Sequence, residues 1–209
     1  PRARICYGAV LIEGIALYGC LPWISPILEA RGRGGTWEAG MIVMAFAMGA
    51  FVFTSTAMVF HHVPDGPHAV DGERTAQDAY GQYKRSCEDA VLASNPGASI
   101  VRIGWQIDPD QPGNNMLMAL DQWQATQGRV SASRAWIPAC SFMTDTAAAL
   151  AGLLLKPVPG VSHADSNAQE AHDFARIVEA LKRAFHRDAW KLHVQEDYVH
   201  DQRLVGAQA

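Results

Sequence analysis

From residue 51 onward, short runs rich in β-branched and aromatic residues alternate with longer stretches of helical composition. That alternation restricts the chain to an α/β fold, a parallel sheet flanked by helices. Phe51–Phe60 reads as a buried strand, apolar on both faces. The loop His61–Gly72 leads into a helix from about Thr75 to Leu92, closed by the turn Asn95-Pro96-Gly97. Ala98–Ile107 is the next strand, followed by a Pro/Gly/Asn loop, Asp108–Asn115, and by Met116–Gln127, helical in composition. A short strand around Val130–Ile137 precedes a helix at Met143–Leu155, with Thr144 or Asp145 near its cap. Val161–Ala164 is a short strand. Ser166 or Asn167 then caps a long helix to about Phe185, with Ala171, Phe174, Ile177, Val178 and Leu181 on one face. Trp190–Val194 is the last strand.

The N-terminal part divides less readily. Ala39–Phe60 is an uncharged run long enough to cross a bilayer, and Gly8–Pro26 is apolar apart from Glu13. A membrane reading makes Glu13 an intramembrane carboxylate with a functional role. The soluble reading splits the long run into a Met/Ala-rich buried helix, Ala39–Ala50, and the strand from Phe51, with Gly49 as a helix stop between them. Sparse flanking Lys and Arg favour the soluble reading, so no membrane partner is expected.

Composition narrows the function. The chain has 209 residues, room for one domain or one with a small appendage, and 49% of them are hydrophobic, which argues against disorder. A formal net charge of -4, without a block of five like charges, argues against a nucleic-acid partner and leaves a small molecule as the expected ligand. Cys6, Cys20, Cys87 and Cys140 form no CxxC pair, which fits a reducing, cytoplasmic location rather than a disulfide or zinc framework. Cys87 reads as a small buried hydrophobe. His61, His62 and His68 lack the carboxylate or Cys spacing of a tetrahedral centre, and no metal is expected. The chain opens Pro1-Arg2-Ala3 without a signal-peptide pattern, which reads as a trimmed or incomplete N-terminus.

One constellation carries chemistry. Tyr80 and Lys84 stand at i and i+4 on the expected helix and share a face. A lysine beside a phenol favours the phenolate and makes the phenol a proton donor usable near neutrality. Ser55 and Thr56 lie in the strand before that helix, where a hydroxyl could bind the carbonyl that Tyr80 protonates. Ligands of open parallel sheets bind at such carboxyl edges. Tyr-x-x-x-Lys alone is a short motif that also describes a surface Tyr with a solvated Lys. The ordered set gives it weight: strand, Ser-Thr, turn-rich loop, Tyr-x-x-x-Lys, then a strand reaching Arg102-Ile103-Gly104-Trp105.

That set resembles the extended short-chain dehydrogenase/reductases, and most of all their dTDP-4-dehydrorhamnose reductase branch. The resemblance is carried by Thr54–Phe60, Ala79–Lys84 with Cys87-Glu88, Val101–Trp105, Gly113-Asn114-Asn115, Phe142–Ala147, Gly160–His163 and Asp201–Leu204, and it covers roughly residues 51–209. It implies reduction of a keto group of a nucleotide sugar by NADPH or NADH, with Thr56, Tyr80 and Lys84 as the catalytic residues. Tyr80 would protonate the ketone, Lys84 would hold the nicotinamide ribose and tune Tyr80, and Thr56 would complete the triad, with Ser55 the fallback. Ser55, Tyr80, Lys84, Ile103 and Gly104 would face the cofactor; Trp105, Asn115 and Arg203 would contact the substrate. From the residues alone, Trp105 reads equally as core packing, and Asn115 equally as a structural turn residue.

The resemblance implies a Rossmann-like cofactor domain over 1–107, incomplete at its N-terminal part, and a mainly substrate-binding part over 108–209, a small C-terminal subdomain from which about 138–164 returns to the first. A homodimer is the expected assembly. Two departures stand out. Ala57-Met58 replace the Asp-Tyr that usually follows Ser-Thr, and His61-His62 replace the next Asp-Gly, which leaves the substrate sugar open. Residues 1–50 hold no Gly-x-x-Gly-x-x-Gly turn to approach a pyrophosphate: Gly8, Gly14 and Gly19 are misplaced, and Gly32-Arg33-Gly34-Gly35 follows no strand. Either the cofactor half is reduced, as in a non-catalytic binding relative, or the sequence joins separated pieces, with consecutive Cα atoms farther apart than about 3.8 Å. An epimerase or dehydratase on the same scaffold is the runner-up enzyme.

Overall fold

The computed structural model describes residues 51–60, 66–110, 113 and 115–206. The chain divides into two compact units, Pro1–Ala50 and Phe51–Ala209, and every described residue belongs to the second. The apolar segments 8–26 and 39–50, the N-terminal glycines, chain continuity through residue 50 and the pair His61-His62 all lie outside the described residues.

In chain order the elements are β1 (Val52–Thr56), α1 (Ala79–Ser94), β2 (Ser99–Ile103), β3 (Trp105–Ile107), α2 (Met116–Gln127), β4 (Val130–Ser133), β5 (Trp136–Ile137), β6 (Cys140–Phe142), α3 (Met143–Leu155), β7 (Gly160–Ala164), α4 (Phe174–Ala184), β8 (Leu192–Gln195) and β9 (His200–Asp201). β1, β2 and β7 form a three-stranded sheet in the order β1-β2-β7, with β2 central. Three two-stranded pairs, β3–β6, β4–β8 and β5–β9, make up the rest. All strand pairings among the described residues are parallel, which is the α/β architecture that the alternation predicts. In register, Thr56 lies beside Ile103 and Ile103 beside Ala164, so three carboxyl ends share one edge.

Several boundaries differ from the sequence reading, each for a local reason. The strand expected to reach Phe60 ends at Thr56, whose Oγ1 accepts from the Met58 N–H at 3.2 Å and closes a turn. Ala57–Phe60 is a 3-10 turn that buries Val59 and Phe60. The helix expected from Thr75 begins at Ala79, because Asp78 caps it by accepting from the Gly81 N–H at 2.8 Å. The strand 98–107 is broken at Gly104 into β2 and β3, which pair in different sheets. A Cβ at position 104 would lie 2.2 Å from the Ala139 carbonyl oxygen, and Trp105 N donates to that oxygen at 2.8 Å.

The strand 130–137 likewise divides into β4 and β5. α3 has its expected bounds, with Thr144 and Asp145 in its first turn; Phe142 is its N-cap and no side chain caps it. α4 starts at Phe174 under Asp173, which accepts from the Arg176 N–H at 2.9 Å. Asn167 instead knits a loop, donating to the Pro138 and His172 carbonyls and accepting from His172 N. The last long strand is Leu192–Gln195 rather than 190–194; Trp190 is buried and donates to Asp121 at 2.8 Å.

The largest apolar core joins α2, α4 and β4 around Leu120, Val130, Phe174, Val178 and Trp190. A second, smaller core under the three-stranded sheet contains Val101, Leu153 and Ala164. Burial at i, i+3, i+4 and i+7 in α4 (Phe174, Ile177, Val178, Leu181) is the ordinary helical stripe. Among the described residues, no helix is long and apolar enough to cross a membrane.

Candidate active site

A cleft of about 550 Å³ opens at the carboxyl ends of β1 and β2. One wall is Thr54–Met58, another Ile103–Gln106, a third Tyr80 and Lys84 from α1, and the far side is Trp136, Ala139, Tyr198 and Gln202. The volume falls within the roughly 300–1,000 Å³ of ordinary small-molecule sites, and the position is the crevice where open parallel sheets hold ligands.

Thr56, Tyr80 and Lys84 meet in this cleft although 24 to 28 positions separate the threonine from the other two. Lys84 Nζ donates to the Thr54 carbonyl at 3.0 Å and lies 5.9 Å from the Tyr80 ring centre and 5.0 Å from that of Phe53. One ammonium N–H is thereby spent, and two remain for a ligand. Thr56 Oγ1 accepts from Met58 N, which fixes the rotamer and leaves its O–H to donate. Tyr80 is 52% exposed, so its phenol is accessible.

Ser55 behaves differently from its neighbour. It lines the cleft but is buried, and its hydroxyl donates to Glu88 Oε1. The two hydroxyls thus differ in their partners: that of Ser55 is donated to Glu88, while Thr56 Oγ1 accepts from Met58 N. Glu88 also accepts from Arg102 Nε at 3.0 Å and Arg102 Nη2 at 2.8 Å. Burial opposes its ionisation, but the hydrogen bonds from Arg102 and Ser55 and the charges of Arg102 and Arg74 prevail and hold the carboxyl below its ordinary range.

Ile103, Gly104 and Trp105 line the cleft. Trp105 also packs on the core, stacked against Trp136 at 6.2 Å and Phe174 at 6.1 Å between ring centres, as the core-packing reading expects. Asn115 and Arg203 are not among the lining residues. Asn115 is buried and caps α2 by accepting from the Met118 N–H at 3.1 Å. Arg203 grips Asp201 through Nε and Nη2 and donates to the Ala168 carbonyl.

Gln106 and the four residues of the far wall, Trp136, Ala139, Tyr198 and Gln202, were not legible as lining residues of the cleft. Gln202 stands one position from Arg203 in a block that carries the resemblance, and its Oε1 accepts from Trp136 Nε1 at 2.8 Å. Tyr198 meets Trp136 edge to face at 5.3 Å. Asp165 anchors this wall by accepting from the backbone N–H groups of Cys140, Asn167 and Leu204. Its burial pushes the carboxyl above the ordinary range against those bonds. His68, singled out in the sequence, stacks on Phe60 at 4.5 Å. Among the described residues, no group of three His, Cys, Asp or Glu side chains is placed to hold a metal ion.

Comparison with known proteins agrees with the geometry. The family model of the RmlD substrate binding domain matches residues 43–202. The chain belongs to the RmlD substrate binding domain family. Within this family likeness, dTDP-4-dehydrorhamnose reductase of Mycolicibacterium smegmatis is 30% identical over 149 residues, covering 70% of this chain and 44% of the relative. The crystal structure of a dTDP-4-dehydrorhamnose reductase from Clostridium acetobutylicum superposes with a TM-score of 0.60 at 22% identity, over 73% of this chain and 52% of that one. The reductase of the same name from Bacillus anthracis, solved in complex with NADP, gives a TM-score of 0.61 at 15% identity, over 76% and 56%. The chain thus spans about half the length of the relatives it matches.

Proposed function

We propose that the protein reduces a keto group of a nucleotide sugar with NADPH or NADH, in the manner of a dTDP-4-dehydrorhamnose reductase. The observation that carries this reading is the convergence of Thr56, Tyr80 and Lys84 on one cleft at the carboxyl edge of a parallel sheet. The residues present suit the nicotinamide end of such a cofactor: Lys84 retains two N–H donors, Tyr80 is accessible, and the Ile103–Gly104 backbone walls the same space. The bound nicotinamide would supply the hydride that reduces the carbonyl carbon.

The chain's own groups do the remaining work. Tyr80 transfers its phenolic proton to the carbonyl oxygen as that oxygen gains charge. Thr56 donates its hydroxyl hydrogen to the same oxygen and orients it, held in place by Met58 N. Lys84 binds the ribose and presents a positive charge close to Tyr80, its position fixed by the Thr54 carbonyl. Trp105, Trp136 and Tyr198 provide an apolar, aromatic wall against which a sugar ring can pack.

Residues 1–107 form the cofactor part in this reading, and 108–209 mainly the substrate part, with β7 supplying a strand to the β1–β2 sheet. A homodimer in the cytoplasm completes the proposal; sedimentation of the purified protein checks the assembly. Binding titrations with NADPH and NADH, followed by cofactor oxidation in the presence of dTDP-4-dehydrorhamnose, test the activity. Stoichiometric cofactor consumption is expected. Turnover without net consumption would point to an epimerase or dehydratase, and absence of dinucleotide binding to a non-catalytic relative.

A further inference from the structure

The register of α1 against the sheet has an unusual origin. Its buried residues are Gly81 and Glu88, with no buried apolar side chain among them, whereas α4 buries Phe174, Ala175, Ile177, Val178 and Leu181. Apolar interdigitation, which ordinarily locks a helix in place, is therefore thin at the helix that carries Tyr80 and Lys84. Polar links replace it. Tyr80, Lys84 and Glu88 follow one another at i, i+4 and i+8 on a single face. Lys84 reaches the Thr54 carbonyl at 3.0 Å, and one turn later Glu88 reaches both β1 and β2.

The Glu88 carboxylate is saturated. Oε1 accepts from Ser55 Oγ and Arg102 Nε, and Oε2 from Arg102 Nη2 and Arg74 Nη1, the last at 3.2 Å. A carboxylate offers about four such acceptor sites. Arg102 is fastened further by Nη1 to the Val70 carbonyl at 2.8 Å and by its guanidinium over the Phe60 ring at 5.0 Å. Glu88 and Arg102 are 1% and 3% exposed and line no part of the cleft, so neither can touch substrate or cofactor there. A buried ion pair is a weak source of net stability, since hydrophobic replacements of similar shape often do as well. What this one does supply is direction: it ties α1 at one point to the neighbours of Thr56 and of Ile103.

We propose that Glu88, acting through Ser55 and Arg102, is a positioning residue that sets the register of α1 on β1 and β2 and so the approach of Tyr80 and Lys84 to Thr56. This inference rests on the reductase reading of the cleft. Misplacement of catalytic groups by a fraction of an ångström lowers turnover while leaving substrate affinity largely intact.

The test uses the full chain with Glu88→Gln, Ser55→Ala and the double variant, assayed well below the unfolding temperature of each. In both single variants kcat is expected to fall about tenfold, with KM for the nucleotide sugar within about twofold. The double variant should fall no further than Glu88→Gln alone, because both changes cut one link. Should Glu88→Gln fail to fold, Ser55→Ala decides, since it leaves the Arg102 pair intact. Folded variants with unchanged kcat and only a lower melting temperature would overturn the proposal. A wild-type protein inactive on keto-sugars would refute the reductase reading, and hydrogen exchange then decides the register. Faster exchange confined to the Tyr80–Glu88 amides supports it; exchange that matches wild type or rises equally in α4 overturns it.

Discussion

Lys84 Nζ holds the Thr54 carbonyl at 3.0 Å, and this bond joins the helix that bears Tyr80 to the strand that bears Thr56. Position 84 therefore serves geometry as well as charge. Lys84→Ala should remove the tie, the proposed ribose contact and the positive charge together. NADPH affinity and kcat should both fall, the rate by at least about a hundredfold. Fluorescence titration and steady-state kinetics check this, and a variant with neither defect would demote Lys84 to a surface charge.

Tyr80→Phe removes the proposed proton donor and little else, because the side chain is half exposed and packs into no core cluster. Turnover should drop by about 10²–10⁴-fold with the melting temperature unchanged. Wild-type rates in Tyr80→Phe would mean that the ketone is protonated by some other group.

Gly104 separates two strands that a continuous apolar run would merge. Its ideal Cβ would sit 2.2 Å from the carbonyl oxygen and 2.3 Å from the carbonyl carbon of Ala139, both backbone atoms that cannot step aside cheaply. Gly104→Ala should cost about 1–3 kcal/mol of stability as an overpacked site. It should also raise KM for the sugar by moving Trp105 and Ala139, which line the cleft. Denaturant unfolding with matched kinetics tests both effects.

These elements also explain what the sequence could and could not tell. α2 and α3 have the expected bounds because their composition is helical throughout and Gly128 closes α2 at φ 70°. That Tyr80, Lys84 and Thr56 would meet at one cleft was legible because a spacing of four on a helix and the end of a strand are local patterns. The break at Gly104 was not, since its cause is Ala139, thirty-five positions away. The far wall was hidden for the same reason: Trp136, Tyr198 and Gln202 gather only when β5 pairs β9. Asn115 and Arg203 lie within blocks that carry the resemblance; Asn115 caps α2, and Arg203 clamps Asp201 and reaches the Ala168 carbonyl.

Thiol reactivity should divide the two described cysteines. Cys140 is buried, and that burial, reinforced by the Asp165 charge, pushes its thiol up to about 12. Thiolate is the reactive form, so Cys140 should resist alkylation at neutral pH while the half-buried Cys87 on α1 reacts. Site-resolved mass spectrometry after brief iodoacetamide treatment measures this, and rapid labelling of Cys140 in folded protein would contradict its place in the core.

His163 makes stability depend on pH. It is fully buried, its Nδ1 donates to the Val205 carbonyl at 2.9 Å, and burial together with the Arg102 charge lowers its pKa from 6.5 to about 4. The unfolded chain then binds a proton at this residue between about pH 6.5 and 4 while the folded chain does not. Stability from the neutral imidazole is therefore complete above about pH 6.5 and is lost as pH falls toward 4. A shift of this size corresponds to on the order of 3 kcal/mol. His68, also lowered by burial, adds to the loss in the same direction. Urea unfolding at about pH 7 and pH 5 should show a lower midpoint at the acid value, and His163→Gln should flatten that difference. An equal acid loss in His163→Gln would transfer the effect to other groups.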